Sequence, residues 1–102
     1  MNTEWKEKWI AALRSGNYNQ ARHCLKNYKS RGYCCLGVLE ELARPASRQL
    51  AKKNDGRSRG GYLSKMVTES TGVRRRYQRV LARMNDGGRS FGEIVDYIER
   101  EL

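Results

Sequence analysis

The stretch Cys35-Leu36-Gly37-Val38-Leu39-Glu40-Glu41-Leu42-Ala43 carries apolar residues at 35, 38, 39 and 42. That is the spacing of one helical face, so the segment predicts a buried helix over 35–43. Pro45 is expected to stop it, because proline lacks an amide proton and crowds the carbonyl four residues back.

On the N-terminal side, residues 17–33 are polar and basic, with Tyr18, Tyr28 and Tyr33 interleaved. Asn27-Tyr28-Lys29-Ser30-Arg31-Gly32 reads as a turn. Its flanks, near 21–25 and 33–34, are able to pair as a short β-hairpin. Further out, Trp5, Trp9, Ile10 and Leu13 recur at helical spacing between a Thr3 cap and a terminating Gly16, predicting a helix over 4–14. The two tryptophans share a face, which docks on a core; base stacking is the alternative.

On the C-terminal side, Leu63, Met66 and Val67 mark a short helix ending near Gly72. A stronger helix is predicted over 73–84. Val73, Tyr77, Val80, Leu81 and Met84 line one face, and Arg75, Arg76, Arg79 and Arg83 line the other. Asn85-Asp86-Gly87-Gly88 terminates it. Ser90-Phe91-Gly92-Glu93 is a capping box that opens a last helix over 91–101, with Phe91, Ile94, Val95, Ile98 and Leu102 on one stripe. The fold expected is mainly α (small α+β): four to five short helices around one core, with room for one short β-hairpin near 21–34. The helices 4–14, 35–43, 73–84 and 91–101 share that core. Residues 1–102 form a single domain with a basic, Gly-rich mobile segment about 44–61, in which a short helix near 47–53 precedes a loop over 55–61.

Charge narrows the class of partner. The chain has 102 residues, 21 Lys plus Arg and 11 Asp plus Glu, a net charge of +10. Residues 1–85 hold 19 basic and 6 acidic residues, whereas 86–102 hold 2 and 5. Most of the protein therefore attracts polyanions and its last helix does not. No apolar run is long enough to span a bilayer and no secretory leader is visible, so action in the cytosol where the chain is made is expected. Cys24, Cys34 and Cys35 are odd in number and partly adjacent, a poor disulfide framework; reduced thiols packed as small hydrophobes are the expectation.

The Arg75/Arg76/Arg79/Arg83 stripe is the sharpest candidate site. Like charges on one helix face repel, so the stripe costs stability unless something anionic binds it. The planar guanidinium fork suits phosphate. Arg48, Lys52, Lys53, Arg57 and Arg59, with Arg44 and only Asp55 against them, form a second candidate anion-binding segment that orders on binding. A helix–turn–helix is disfavoured, because the last helix carries Glu93, Asp96, Glu99 and Glu101, the wrong sign for a DNA groove. Cys35 near a helix N-terminus, with the sole histidine, His23, could in principle make a nucleophile pair. His23, Cys24, Cys34 and Cys35 have metal-ligand chemistry but lack the usual spacing, so no metal and no cofactor are expected.

Two stretches bear a resemblance. Trp9-Ile10-Ala11-Ala12-Leu13-Arg14-Ser15-Gly16-Asn17-Tyr18-Asn19-Gln20 followed by Tyr33-Cys34-Cys35-Leu36-Gly37-Val38-Leu39, and Met84-Asn85-Asp86-Gly87-Gly88-Arg89-Ser90-Phe91 with Ile94, Asp96 and Ile98, cover about half the chain. They resemble a family of small uncharacterised tailed-phage and prophage proteins with W-x-x-A-L-R-S-G-x-Y-x-Q, C-C-L-G-V-L and N-D-x-G-x-S-F motifs. The resemblance implies a phage origin and action in the cytoplasm of the bacterial host. It carries over no catalytic residue.

The function expected is that of a non-enzymatic phage accessory protein binding an anionic partner, foremost nucleic-acid phosphates, through the Arg-rich helix face. The alternatives are an effector that binds an acidic host protein, such as a defence or transcription factor, or captures an anionic nucleotide, and a Cys35-dependent enzyme.

Overall fold

The computed structural model describes residues 1–48 and 61–102, with the backbone alone at 45–48. Among these residues the elements are α1 (Thr3–Arg14), β1 (Lys26–Asn27), β2 (Gly32–Tyr33), α2 (Cys35–Arg48), α3 (Lys65–Thr71), α4 (Arg75–Asp86) and α5 (Phe91–Glu101). The fold is mainly α with one short antiparallel hairpin. The calls of a short helix over 47–53 and a mobile loop over 55–61 fall almost wholly outside the described residues.

Helix α2 is the centre of the molecule. It touches α1, α3, α4 and β2, and buries Cys35, Leu36, Val38, Leu39 and Ala43. Trp9 and Leu13 of α1, Val67 of α3, Leu81 of α4, and Ile94, Val95 and Ile98 of α5 complete the core. Each large apolar side chain so buried contributes roughly 1.5–3 kcal/mol. Helix α5 closes the layer against α1 and α4. At the start of α2, Cys34 acts as the cap: its thiol accepts from the Gly37 amide at 3.3 Å and its carbonyl from Val38 at 3.1 Å. Gly37 lies so close to Leu25 that a Cβ there would overlap the Leu25 carbonyl, so no side chain fits.

Pro45 does not stop α2, which runs on to Arg48. The proline ring fixes φ near the helical value, so it forfeits one amide bond without expelling the chain from helical dihedrals, and a further turn follows. The cap of α1 is Asn2 rather than Thr3. The Asn2 side chain accepts from Trp5 N at 3.0 Å, while its own amide donates to the Thr71 carbonyl at 2.8 Å and ties the entry of α1 to the end of α3.

The hairpin pairs Lys26 with Tyr33 and Asn27 with Gly32, so its first strand is later and shorter than 21–25. Residues 19–21 take the other edge of Tyr33 instead: Ala21 N donates to the Tyr33 carbonyl at 2.8 Å and Tyr33 N to the Asn19 carbonyl at 2.7 Å. Asn27 Oδ1 organises the turn, accepting from Lys29 N at 3.0 Å and Ser30 N at 3.1 Å. The capping box of α5 is formed: Ser90 Oγ accepts from Glu93 N at 3.2 Å and the Glu93 carboxylate from Ser90 N at 3.0 Å.

Of the apolar face expected over 73–84, Val73 and Leu81 are in the core and Tyr77 and Met84 pack against it, while Val80 alone turns outward. The buried residues of α4 are Gln78, Leu81 and Asn85, whereas Val80 is 38% exposed and stands on the arginine side. Two polar residues outrank a valine because buried backbone groups need them. Gln78 Oε1 accepts from Leu63 N at 2.9 Å, and its Nε2 donates to the Val73 carbonyl at 2.9 Å and Thr68 Oγ1 at 3.0 Å. Leaving such groups unpaired costs about 1–3 kcal/mol each.

Candidate functional site

Arg75, Arg76, Arg79 and Arg83 all lie exposed on the outer face of α4, as their spacing requires. Arg75 sits with its guanidinium 4.8 Å from the centre of the Tyr62 ring, and Arg76 the same distance from the Tyr77 ring. Arg76 also donates to the Tyr77 hydroxyl at 3.0 Å. These contacts hold the two stems against aromatic faces and leave both charges in place. Among the described residues, no carboxylate lies within salt-bridge distance of any of the four arginines.

Four carboxylates of α4 and α5 make their contacts elsewhere. Asp86, the one acid of α4, is turned to residue 23: Oδ1 accepts from His23 N at 2.8 Å, and Oδ2 lies 3.5 Å from His23 Nδ1. Glu99 of α5 pairs with Arg14 of α1 at 3.1 Å, Glu93 with Arg89 at 3.3 Å, and Glu101 with Arg100 at 3.3 Å. A hydrogen bond from the Ser90 amide, then Arg89, holds the Glu93 carboxyl below the usual value. The outer side of α5 is thus acidic, and its inner side is core. It follows α4 through residues 87–90 but offers no basic reading face.

Arg79 and Arg83 also border an open groove of about 690 Å³, lined with Tyr62, Ala82, Asp86 and Gly87. Of the second candidate segment, Arg48 ends α2, described by its backbone alone, and Lys52, Lys53, Arg57 and Arg59 lie outside the described residues. Arg44 is committed inward: it lies 3.5 Å from Glu40, a buried carboxylate that also accepts from Ser64 N at 3.0 Å.

The thiols are structural. Cys35 is fully buried, donates weakly to the Leu81 carbonyl at 3.7 Å, and is pushed well above the usual thiol value by burial. Burial likewise pushes the Cys34 thiol up to about 11. Neither forms a thiolate at neutral pH, and His23 spends its ring on Asp86, so the geometry gives no nucleophile pair. Among the described residues, no three His, Cys, Asp or Glu side chains converge as metal ligands. No helix among them is long and apolar enough to cross a membrane.

Sequence reasoning found the arginines but missed what frames them. Asp86 and Tyr62 are invisible as neighbours until the fold is known, because Tyr62 and the end of α4 are distant in sequence.

These features define a small helical domain with one strongly basic helix face. Residues 1–56, more than half of the chain, match the family model described as Domain of unknown function (DUF8296), and the chain belongs to that family. No curated protein and no solved structure matches the chain.

Proposed function

We propose that the chain is a non-enzymatic phage accessory protein that binds nucleic-acid phosphates in the bacterial cytoplasm through Arg75, Arg76, Arg79 and Arg83. The observation that carries this reading is the four exposed guanidinium groups on one face of α4 without a carboxylate partner among the described residues. Such a face is self-repelling alone and is relieved by a polyanion. Contacts to phosphate position the protein without reading bases, so little sequence preference is expected. Four phosphate contacts on duplex DNA should give a slope of log affinity against log salt of roughly −3 to −4. Fluorescence anisotropy with a labelled duplex across a salt series measures it, and Arg79→Ala/Arg83→Ala should lower its magnitude by about two. An affinity that barely changes from low to moderate salt overturns the reading.

The groove beside Arg79 and Arg83 favours a second reading, capture of a small anionic nucleotide with its phosphates on the two arginines. Purification from the bacterial host separates the readings. Bulk nucleic acid supports the first and a stoichiometric absorbing small molecule supports the second. One stoichiometric host protein points instead to an inhibitor of an acidic partner.

A further inference from the structure

The hairpin carries a second surface with chemistry of its own. Tyr28 at its tip is 79% exposed, more than any other large hydrophobic side chain among the described residues. Lys26 stands over it, with Nζ 5.0 Å from the Tyr28 ring centre and 5.4 Å from that of Tyr33. Lys29 and Arg31 of the same turn are exposed, as is Arg22 before the hairpin. From residue 8 to residue 39 the sequence has six basic residues and no acid. The turn is fixed rather than loose: Asn27 Oδ1 binds two turn amides, Tyr33 packs edge-on against Tyr18 at 5.3 Å, and Cys34 N donates to the Leu25 carbonyl at 3.1 Å. An aromatic ring is thus held out in solvent with the Lys26 ammonium beside it.

The residues that lead into the hairpin meet the end of α4. Asp86 falls on the same side of α4 as Arg79 and Arg83, and it anchors His23, three residues before β1. The backbone at His23 is left-handed, with φ of 69°. Asp86 therefore ties the end of α4 to the residues that lead into the hairpin.

We infer that the hairpin is a stacking platform for single-stranded nucleic acid, with the Tyr28 ring taking an unpaired base while Lys26, Lys29 and Arg31 hold the adjoining phosphates. This rests on the nucleic-acid reading above and adds the substrate class. Every base has a π-face, whereas a base inside a duplex offers none to a protruding ring, so exposed Tyr28 selects strands that are unpaired. The phosphate chemistry is common to DNA and RNA.

Anisotropy with labelled oligo(dT), oligo(U) and a duplex of equal length tests it. The variants are Tyr28→Ala, Tyr28→Phe and Arg79→Ala/Arg83→Ala, each checked for native circular dichroism. Tyr28→Ala should weaken binding to the single strands by about tenfold or more. It should leave duplex affinity and the salt slope unchanged, because stacking releases no counterions. Tyr28→Phe should retain single-strand affinity. Whichever of oligo(dT) and oligo(U) binds more tightly, the Tyr28→Ala loss must appear on that strand. Wild-type affinity in Tyr28→Ala, with binding still lost in the Arg79→Ala/Arg83→Ala variant, overturns the platform and leaves the arginine site standing. Equal losses on single strand and duplex also overturn it, since they assign Tyr28 no role with unpaired bases. Absence of binding to any of the three nucleic acids overturns both readings together.

Discussion

Asn85 joins three parts of the chain with one side chain. Its Oδ1 accepts from Cys35 N at 3.1 Å and Gln20 Nε2 at 2.9 Å, and its Nδ2 donates to the Ala21 carbonyl at 2.7 Å. Asn85→Ala would strand an amide at the start of α2 and a carbonyl before the hairpin, both away from water. At about 1–3 kcal/mol for each of the two unpaired buried groups, the loss should be roughly 2–6 kcal/mol, read from urea unfolding. The thiols make a separate prediction. Cys24 is only half-buried, whereas Cys34 and Cys35 are buried. One thiol should therefore react quickly with a disulfide reagent in the folded protein, and two only on unfolding. Folding holds the Cys34 proton more tightly, raising the group from its ordinary value of 9.0 to about 11. The stability from this group is complete below about pH 9 and is lost as pH rises toward 11, so the unfolding midpoint should fall across that window.

Helix α4 carries the main tension at the scale of elements. Its arginines serve binding and oppose folding. Arg79→Gln should remove repulsion with Arg75, Arg76 and Arg83, so the free variant should be slightly more stable, by about 0.2–0.5 kcal/mol for each repulsive pair removed. Thermal melting at low salt measures this, and the gain should shrink at high salt. The same helix shows what the sequence could and could not reveal. Its charged face followed from spacing alone, because arginines facing water obey only the helical period. Its buried face followed in part, through Leu81, Tyr77 and Met84. Gln78 and Asn85 are placed by the backbone groups of residues 63, 73, 21 and 35, and those partners become neighbours only through tertiary structure. The capping box of α5 was legible because cap and partner are three residues apart. The first hairpin strand was misplaced because a two-residue strand carries no period to read. Tyr28 and the groove were illegible as sites, since exposure and adjacency are properties of the fold.

The whole molecule segregates its charge by wiring its acids inward or toward the wrong side for relief. Glu40 goes to α3 and Arg44, Asp86 to residue 23, and Glu99 to α1, while the arginines of α4 keep their field. A net charge of +10 thus becomes a directed surface rather than a uniform coat.

The packing of α1 on α5 bears on how the chain is made. Arg14 binds Glu99, and Lys6 reaches the Glu99 carbonyl at 3.5 Å, so the earliest helix leans on the latest one described. On a ribosome, α1 emerges long before residues 91–101 have been translated. Until they clear the exit tunnel the core stays open on one flank and the domain cannot shut.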